Sequence, residues 1–180
     1  GRIMESYIGE FEQAKKLDDV IMERDMKSRI DSLGSVTDNV EVKFLYNNYK
    51  GDEEIGYKKY LLAERWYKMS EPYLSKINKG VYYAKLKNLY WVWGKTDEAL
   101  KYALLCIEQE GSIIDTYLSY LDVAKLYQVK GDSISCFRII DTVCAVMDSF
   151  AEPREINKIY VYRAMCHSGF KEYEKALADY

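Results

Sequence analysis

Apolar residues recur at intervals of three and four along most of the chain. Ala99, Tyr102, Ala103, Cys106 and Ile107 keep this spacing, and Leu121, Ala124, Leu126 and Tyr127 keep it less strictly. That is the period of a helix with one buried face. No stretch sustains the alternation of a half-buried strand. The helical runs are interrupted at Leu33-Gly34-Ser35, Lys50-Gly51-Asp52, Ser70-Glu71-Pro72, Lys79-Gly80, Trp93-Gly94-Lys95, Glu110-Gly111-Ser112, Lys130-Gly131-Asp132, Ala151-Glu152-Pro153 and Ser168-Gly169. Such breaks predict about nine helices joined by short turns, which favour antiparallel neighbours.

The front of the chain differs from the rest. Met4, Ile8, Phe11, Leu17, Ile21, Ile30 and Leu33 form an apolar stripe among many charges. Residues 1–35 are therefore expected to form one long or two shorter helices that cap the array behind them. A dimerising coiled coil, and so a homodimer, is the alternative, although the stripe is too irregular for a heptad assignment. At the other end, Lys175-Ala176-Leu177-Ala178-Asp179-Tyr180 has no stop signal. The natural chain is expected to continue there, with the last hairpin cut short.

The interior carries a repeat. Gly94 is followed by Ala99, Ala103 and Cys106, and Gly131 by Cys136, Ile140 and Val143. Gly51 is followed by Gly56, Tyr60 and Ala63, and Lys171 stands in the glycine's place before Ala176 and Tyr180. The four turn positions recur about every forty residues, as expected of a helical-hairpin repeat. Glycine can adopt the left-handed conformation that ends a helix. The small residue five later marks the close crossing of two helices.

This pattern resembles the tetratricopeptide repeat (TPR) family. Trp93-Gly94-Lys95-Thr96-Asp97-Glu98-Ala99-Leu100-Lys101-Tyr102-Ala103 is the best match, and Phe170-Lys171-Glu172-Tyr173-Glu174-Lys175-Ala176-Leu177 matches the start of a second helix equally well. Ala124 and Ala164 fill the small position that the family places seven before the turn; Phe44 and Lys87 do not. Tyr90, Tyr127 and His167 fill the aromatic place four before it, and Asn47 departs. The resemblance implies an all-α fold of antiparallel helical hairpins stacked as a right-handed superhelix, an α–α solenoid. Residues 36–180 would supply about four hairpins, on the family's repeat architecture. A weaker resemblance covers Leu17–Asp25, Arg29–Leu33 and Leu45–Lys50, which look like the start of bacterial membrane-anchored regulators that hold such an array outside the membrane. That resemblance implies a sensing role and a periplasmic location; a cytosolic assembly or chaperone-adaptor module is the alternative.

Composition narrows the function. A net charge of −3 provides no global basic field for nucleic acid. Lys58-Lys59 and Lys85-Leu86-Lys87 are isolated, and the tyrosines at 46, 49, 57, 60 and 67 fit helix packing at least as well as base stacking. No apolar run is long enough to span a bilayer, so no membrane insertion by this segment is expected. With a single histidine, His167, and no Cys-x-x-Cys pair, neither a metal site nor a cofactor is expected. Cys106, Cys136, Cys144 and Cys166 read as small buried residues. Cys136 and Cys144 stand roughly 12 Å apart on one helix, too far to bridge. Asp18-Asp19, Glu53-Glu54 and Asp97-Glu98 are adjacent pairs, which do not face each other on a helix and make poor acid–base dyads. No catalytic residue is assigned, and an enzyme or carrier with an unrecognised site is the remaining alternative.

The expectation is a protein- or peptide-binding scaffold. Family geometry puts inner-facing residues three, six and ten before each turn. These are Asn48, Leu45 and Glu41; Trp91, Asn88 and Ala84; Gln128, Lys125 and Leu121; and Ser168, Met165 and Val161. The candidate peptide groove is accordingly Leu45, Asn48, Ala84, Asn88, Trp91, Leu121, Lys125, Gln128, Val161 and Met165. Asn88 matches one place of the family's carboxylate clamp, but its basic partners are missing, so an apolar-anchored peptide is favoured.

Overall fold

A computed structural model describes residues 1–109, 113–147 and 153–179 of the chain. Among these residues there are ten α-helices, one 3₁₀ turn at Glu71–Tyr73 and no strand. The helices are α1 (Arg2–Lys16), α2 (Val20–Val36), α3 (Val40–Gly56), α4 (Tyr60–Lys68) and α5 (Lys79–Trp93). They continue with α6 (Thr96–Ile107), α7 (Ile113–Lys130), α8 (Ser133–Met147), α9 (Pro153–Gly169) and α10 (Tyr173–Asp179). The breaks expected at residues 110–112 and 151–152, and Tyr180, lie outside the described residues. None of the described helices is long and apolar enough to cross a membrane.

Side chains set several helix starts. Asp19, Asn39, Asn78 and Asp132 each accept a hydrogen bond from the backbone N–H three residues on, at 3.0, 3.0, 3.2 and 3.0 Å. Each cap satisfies a donor that the first helical turn leaves open.

Five tight turns share one backbone geometry. Asp18 (φ 54°), Lys58 (φ 58°), Gly94 (φ 79°), Gly131 (φ 75°) and Lys171 (φ 64°) all sit in the left-handed region. At each, the following N–H bonds the carbonyl five residues back: Asp19 to Ala14, Lys59 to Glu54, Lys95 to Tyr90, Asp132 to Tyr127 and Glu172 to His167, at 2.8 to 3.0 Å. The left-handed residue's own N–H bonds the carbonyl three back. This is the Schellman arrangement, which satisfies the last carbonyls of a helix while reversing the chain.

Two expectations are corrected here. Gly51 is not a turn residue: α3 runs through it to Gly56, and the turn is made by Lys58. Gly51 is instead buried in the helix, where a Cβ would collide with the ring of Tyr67 on α4. It therefore fills the small position seven before the true turn. Likewise α2 continues through Gly34, which is buried against Tyr46, rather than breaking there. With the turn at Lys58, the residue five later is Ala63, fully buried like its counterparts Ala99 and Cys136.

The chain divides into two compact units, Gly1–Leu89 and Tyr90–Tyr180, with α5 running across the division. In the first unit α1 packs on α2, both pack on α3, and α3 packs on α4. The N-terminal stripe is used inside this unit except at Leu17 and Ile21, which are exposed: Met4, Phe11, Met26, Ile30, Val42 and Tyr49 form the core. Phe11 meets Tyr49 edge to face at 5.3 Å. In the second unit α6 packs on α7, α7 on α8 and α9, α8 on α9, and α9 on α10. Its core is Ala124, Cys136, Ile140, Val143, Cys144, Ile159 and Cys166. Tyr90 stacks on Trp93 and Tyr102, with ring centroids 6.1 and 5.5 Å away. α10 is further fastened by Arg163 of α9, whose guanidinium donates to Asp179 through two nitrogens.

Three consequences can be measured. Gly51→Ala should lower the melting temperature, because overpacking costs about 1–3 kcal/mol against a helix-propensity gain of about 1. Lys58→Gly should raise it by about 2–4 °C, since a left-handed side chain costs about 1 kcal/mol. The opposite pair of signs would return the turn to Gly51. The Asp179 carboxyl is held below the ordinary aspartate range, first by its hydrogen bonds from Arg163. A lowered folded pKa gives stability that is present above the unfolded value and lost as pH falls through the folded one. Asp179→Asn should thus cost about 1–2 kcal/mol at pH 7, and the gap to the parent should close as pH falls below about 4, as followed by thermal unfolding.

Candidate functional site

Moving the first interior turn to Lys58 moves the positions that family geometry calls inner-facing. Counting back three, six and ten now gives Ile55, Asp52 and Asn48; Leu45 and Glu41 leave the register. Glu41 is exposed and pairs with the N-terminal amine at 3.2 Å. The same count from the unforeseen turn at Asp18 gives Lys15, Glu12 and Ile8. Five of these six residues, Ile8, Glu12, Lys15, Asn48 and Asp52, line one open cavity of about 620 Å³ within the first unit. Leu45 lines it as well, together with Phe11, Tyr49, Glu23 and the α5 residues Val81 and Lys85. Ala84 and Asn88, the α5 residues expected from sequence, do not; Asn88 is exposed and Ala84 half-buried. Phe11 and Glu23 could have been found only by reading residues 1–35 as a hairpin of the same repeat.

The cavity has an apolar floor and a charged rim. Lys27 pairs with Glu53, Lys85 with Asp52, and Lys50 just behind with Asp31 and Glu53. Two buried polar atoms here have no hydrogen-bond partner: Asn48 Oδ1 and Tyr49 Oη. Neighbouring Asn47 shows the contrast, donating from its buried amide to Ser70 Oγ at 3.1 Å. Burial and the nearby carboxylates of Glu53, Asp31, Glu23 and Glu12 push the Tyr49 phenol above its ordinary range, so it stays protonated. An unpaired buried hydroxyl or amide oxygen costs about 1–3 kcal/mol, which makes this the least satisfied polar spot described in the unit.

In the second unit the structure brings two pairs of candidate residues together. The Lys125 ammonium lies 5.1 Å from the Trp91 ring centre, and Trp91 remains 37% exposed. Gln128 donates to the Met165 carbonyl at 3.4 Å. Val161 and Met165 are 42% and 56% exposed, which leaves apolar surface on α9. Leu121 is placed differently: it packs against the core, and its carbonyl accepts from Tyr162 Oη at 3.0 Å.

The residues weighed for chemistry have structural surroundings. His167 Nδ1 lies 2.7 Å from Glu172 Oε2, and its ring stacks on Phe137 at 4.2 Å. All four cysteines are free and buried. Cys136 and Cys166 meet across α8 and α9; that contact, and burial after it, raises the Cys136 thiol. Asp19 caps α2, Glu53 pairs with Lys27 and Lys50, and Asp97 pairs with Lys130.

No family model matches the chain, and no curated protein matches it. Solved structures do. One is the nearly identical TPR-like repeats of a putative kinesin light chain from Podosopora anserina, with a TM-score of 0.75 and 9% identity over 98% of this chain and 89% of that one. A variant of the same protein aligns with a TM-score of 0.74, also at 9% identity, over 98% of this chain and 88% of that one. The fold is therefore that of TPR-like helical repeats.

Two buried phenols of the first unit, Tyr67 and Tyr49, should respond oppositely to loss of their hydroxyls. Tyr67 Oη donates to Asp52 at 2.7 Å, so Tyr67→Phe should destabilise by about 1 kcal/mol. Tyr49→Phe removes a hydroxyl that bonds nothing and should leave stability unchanged or raise it by up to about 1 kcal/mol. Denaturant unfolding of both variants checks the difference.

Proposed function

We propose that this chain is a non-enzymatic scaffold that binds protein or peptide on the first helices of its hairpins. The observation that carries the reading is the surface these helices leave open. α5 and α9 expose Trp91, Val161 and Met165, while α1, α3 and α5 line a cavity in the first unit. Large exposed apolar side chains are ordinary when scattered. They acquire meaning where a ring and aliphatic groups fall on register positions of a helical-hairpin repeat. The finer reading is the sensing part of a larger bacterial regulatory protein. It is supported by the resemblance of Leu17–Asp25, Arg29–Leu33 and Leu45–Lys50 to the front of such regulators.

The test is selection of peptides from a random display library on the immobilised chain, repeated on a Trp91→Ala, Met165→Ala double variant. Both side chains are exposed, so the variant should fold like the parent. Peptides that map to first helices and lose about tenfold or more in affinity for the variant would support the reading, since large truncation effects mark hot spots. Peptides that bind both proteins equally and map to α4, α6 or α8 would overturn it.

A further inference from the structure

The cavity in the first unit has a chemical preference that the scaffold reading alone does not specify. Its lining carboxylates are Glu12, Glu23, Asp52 and Glu53. Asp52 and Glu53 are each paired with a lysine, and Glu12 has Lys15 at 3.9 Å. Glu23 is half-buried and has no ion-pair partner among the described residues. Among its lining residues, Asn48 and Tyr49, only 6% and 5% exposed, carry the orphaned Oδ1 and Oη, both closed to solvent. Both orphaned atoms can accept a hydrogen bond, and the one unpaired charge in the lining is negative. What is missing is a donor that carries positive charge. The floor offers Phe11, Ile8 and Leu45, apolar surface on which a long aliphatic stem can lie. Buried polar groups in folded proteins are paired in the great majority of cases, so two orphans in one cavity point to an absent partner.

We propose that this cavity receives a lysine or arginine side chain of a bound peptide, its stem on Phe11, Ile8 and Leu45 and its cationic head on Glu23, Asn48 and Tyr49. The inference rests on the reading of the chain as a peptide-binding scaffold. It adds the site within the first unit and the charge of the residue the site takes. A half-turn of the Asn48 amide exchanges its oxygen and nitrogen, and the oxygen is the end a cation selects. Burial first, and then the carboxylates that would attract the cation, push the Tyr49 hydroxyl above its ordinary range. It can therefore accept from the cationic head without itself ionising.

The experiment is an amide-resolved NMR titration of the full chain with three blocked tripeptides that differ only at the centre. They are acetyl-Leu-Arg-Leu-amide, acetyl-Leu-norleucine-Leu-amide and acetyl-Leu-Glu-Leu-amide. The arginine peptide should shift the resonances of residues 48 and 49 and bind about fivefold or more tightly than the norleucine peptide, with the glutamate peptide weakest. Glu23→Gln should abolish most of that preference. Tyr49→Phe should weaken the arginine peptide while leaving the melting temperature unchanged or higher, a combination that a purely structural residue does not give. Equal binding of all three peptides at this cavity would overturn the charge assignment and leave the scaffold reading intact. Shifts confined to other residues, or none at residues 48 and 49 with any peptide, would overturn the site itself. Failure of the scaffold reading shows separately, as a display selection that yields no ligand for the chain.

Discussion

The structure depends on one backbone constraint, a single residue held in the left-handed region at the end of the first helix of each hairpin. At Asp18, Lys58, Gly94, Gly131 and Lys171 this residue turns the chain back within two or three residues. The short reversal fixes where the second helix begins, and so which of its residues lies at the crossing. Ala63, Ala99, Cys136 and Ala176 all stand five beyond a left-handed residue and all are buried. A larger side chain there would separate the two axes and lose the contacts on both sides of the crossing. Non-glycine residues carry the left-handed strain at three of the five turns. Each such residue costs about 1–2 kcal/mol, which the two reversal hydrogen bonds and the packing of the hairpin must outweigh.

The same constraint explains which parts of the fold could be read from sequence. Gly94 and Gly131 announce their turns because glycine is the residue that adopts this conformation freely. Lys171 was recoverable because the residues after it match the second-helix start. Lys58 and Asp18 carry no such mark, since lysine is a strained choice there and aspartate an ordinary loop residue. Gly51 misled for a different reason. It is a glycine required by close approach, with the Tyr67 ring lying where its Cβ would be. Sequence alone does not distinguish a glycine that needs φ > 0 from one that needs empty space. That single misreading set the inner-facing count at Leu45 and Glu41 in place of Ile55 and Asp52.

The N-terminal residues show the complementary limit. Their apolar stripe was visible, but its partner was not. Met4, Phe11 and Ile30 meet Met26, Val42 and Tyr49 in one core while Leu17 and Ile21 stay exposed, so the buried part of the stripe is satisfied across three helices rather than along one seam. A stripe used in this way has no reason to keep heptad spacing, which accounts for its irregularity. It also makes α1 a wall of the first-unit cavity, a role that a reading of residues 1–35 as a cap did not anticipate.

Adjacent asparagines on α3 bring stability and function into one comparison. Asn47 and Asn48 are both buried, 5% and 6% exposed. Successive residues on a helix point about 100° apart, so they face different environments. Asn47 faces Ser70 and is satisfied by it, which ties α3 to the segment after α4. Asn48 faces the cavity and leaves its oxygen unbonded, beside an unbonded tyrosine hydroxyl. Aliphatic residues in place of Asn48 and Tyr49 would remove two orphaned groups from the interior. A protein that is stable by only 5–15 kcal/mol keeps such costs where another requirement offsets them. Asn48 lies at a register position of the hairpin and Tyr49 next to it, so on the proposed reading the local cost in stability belongs to binding rather than to the fold.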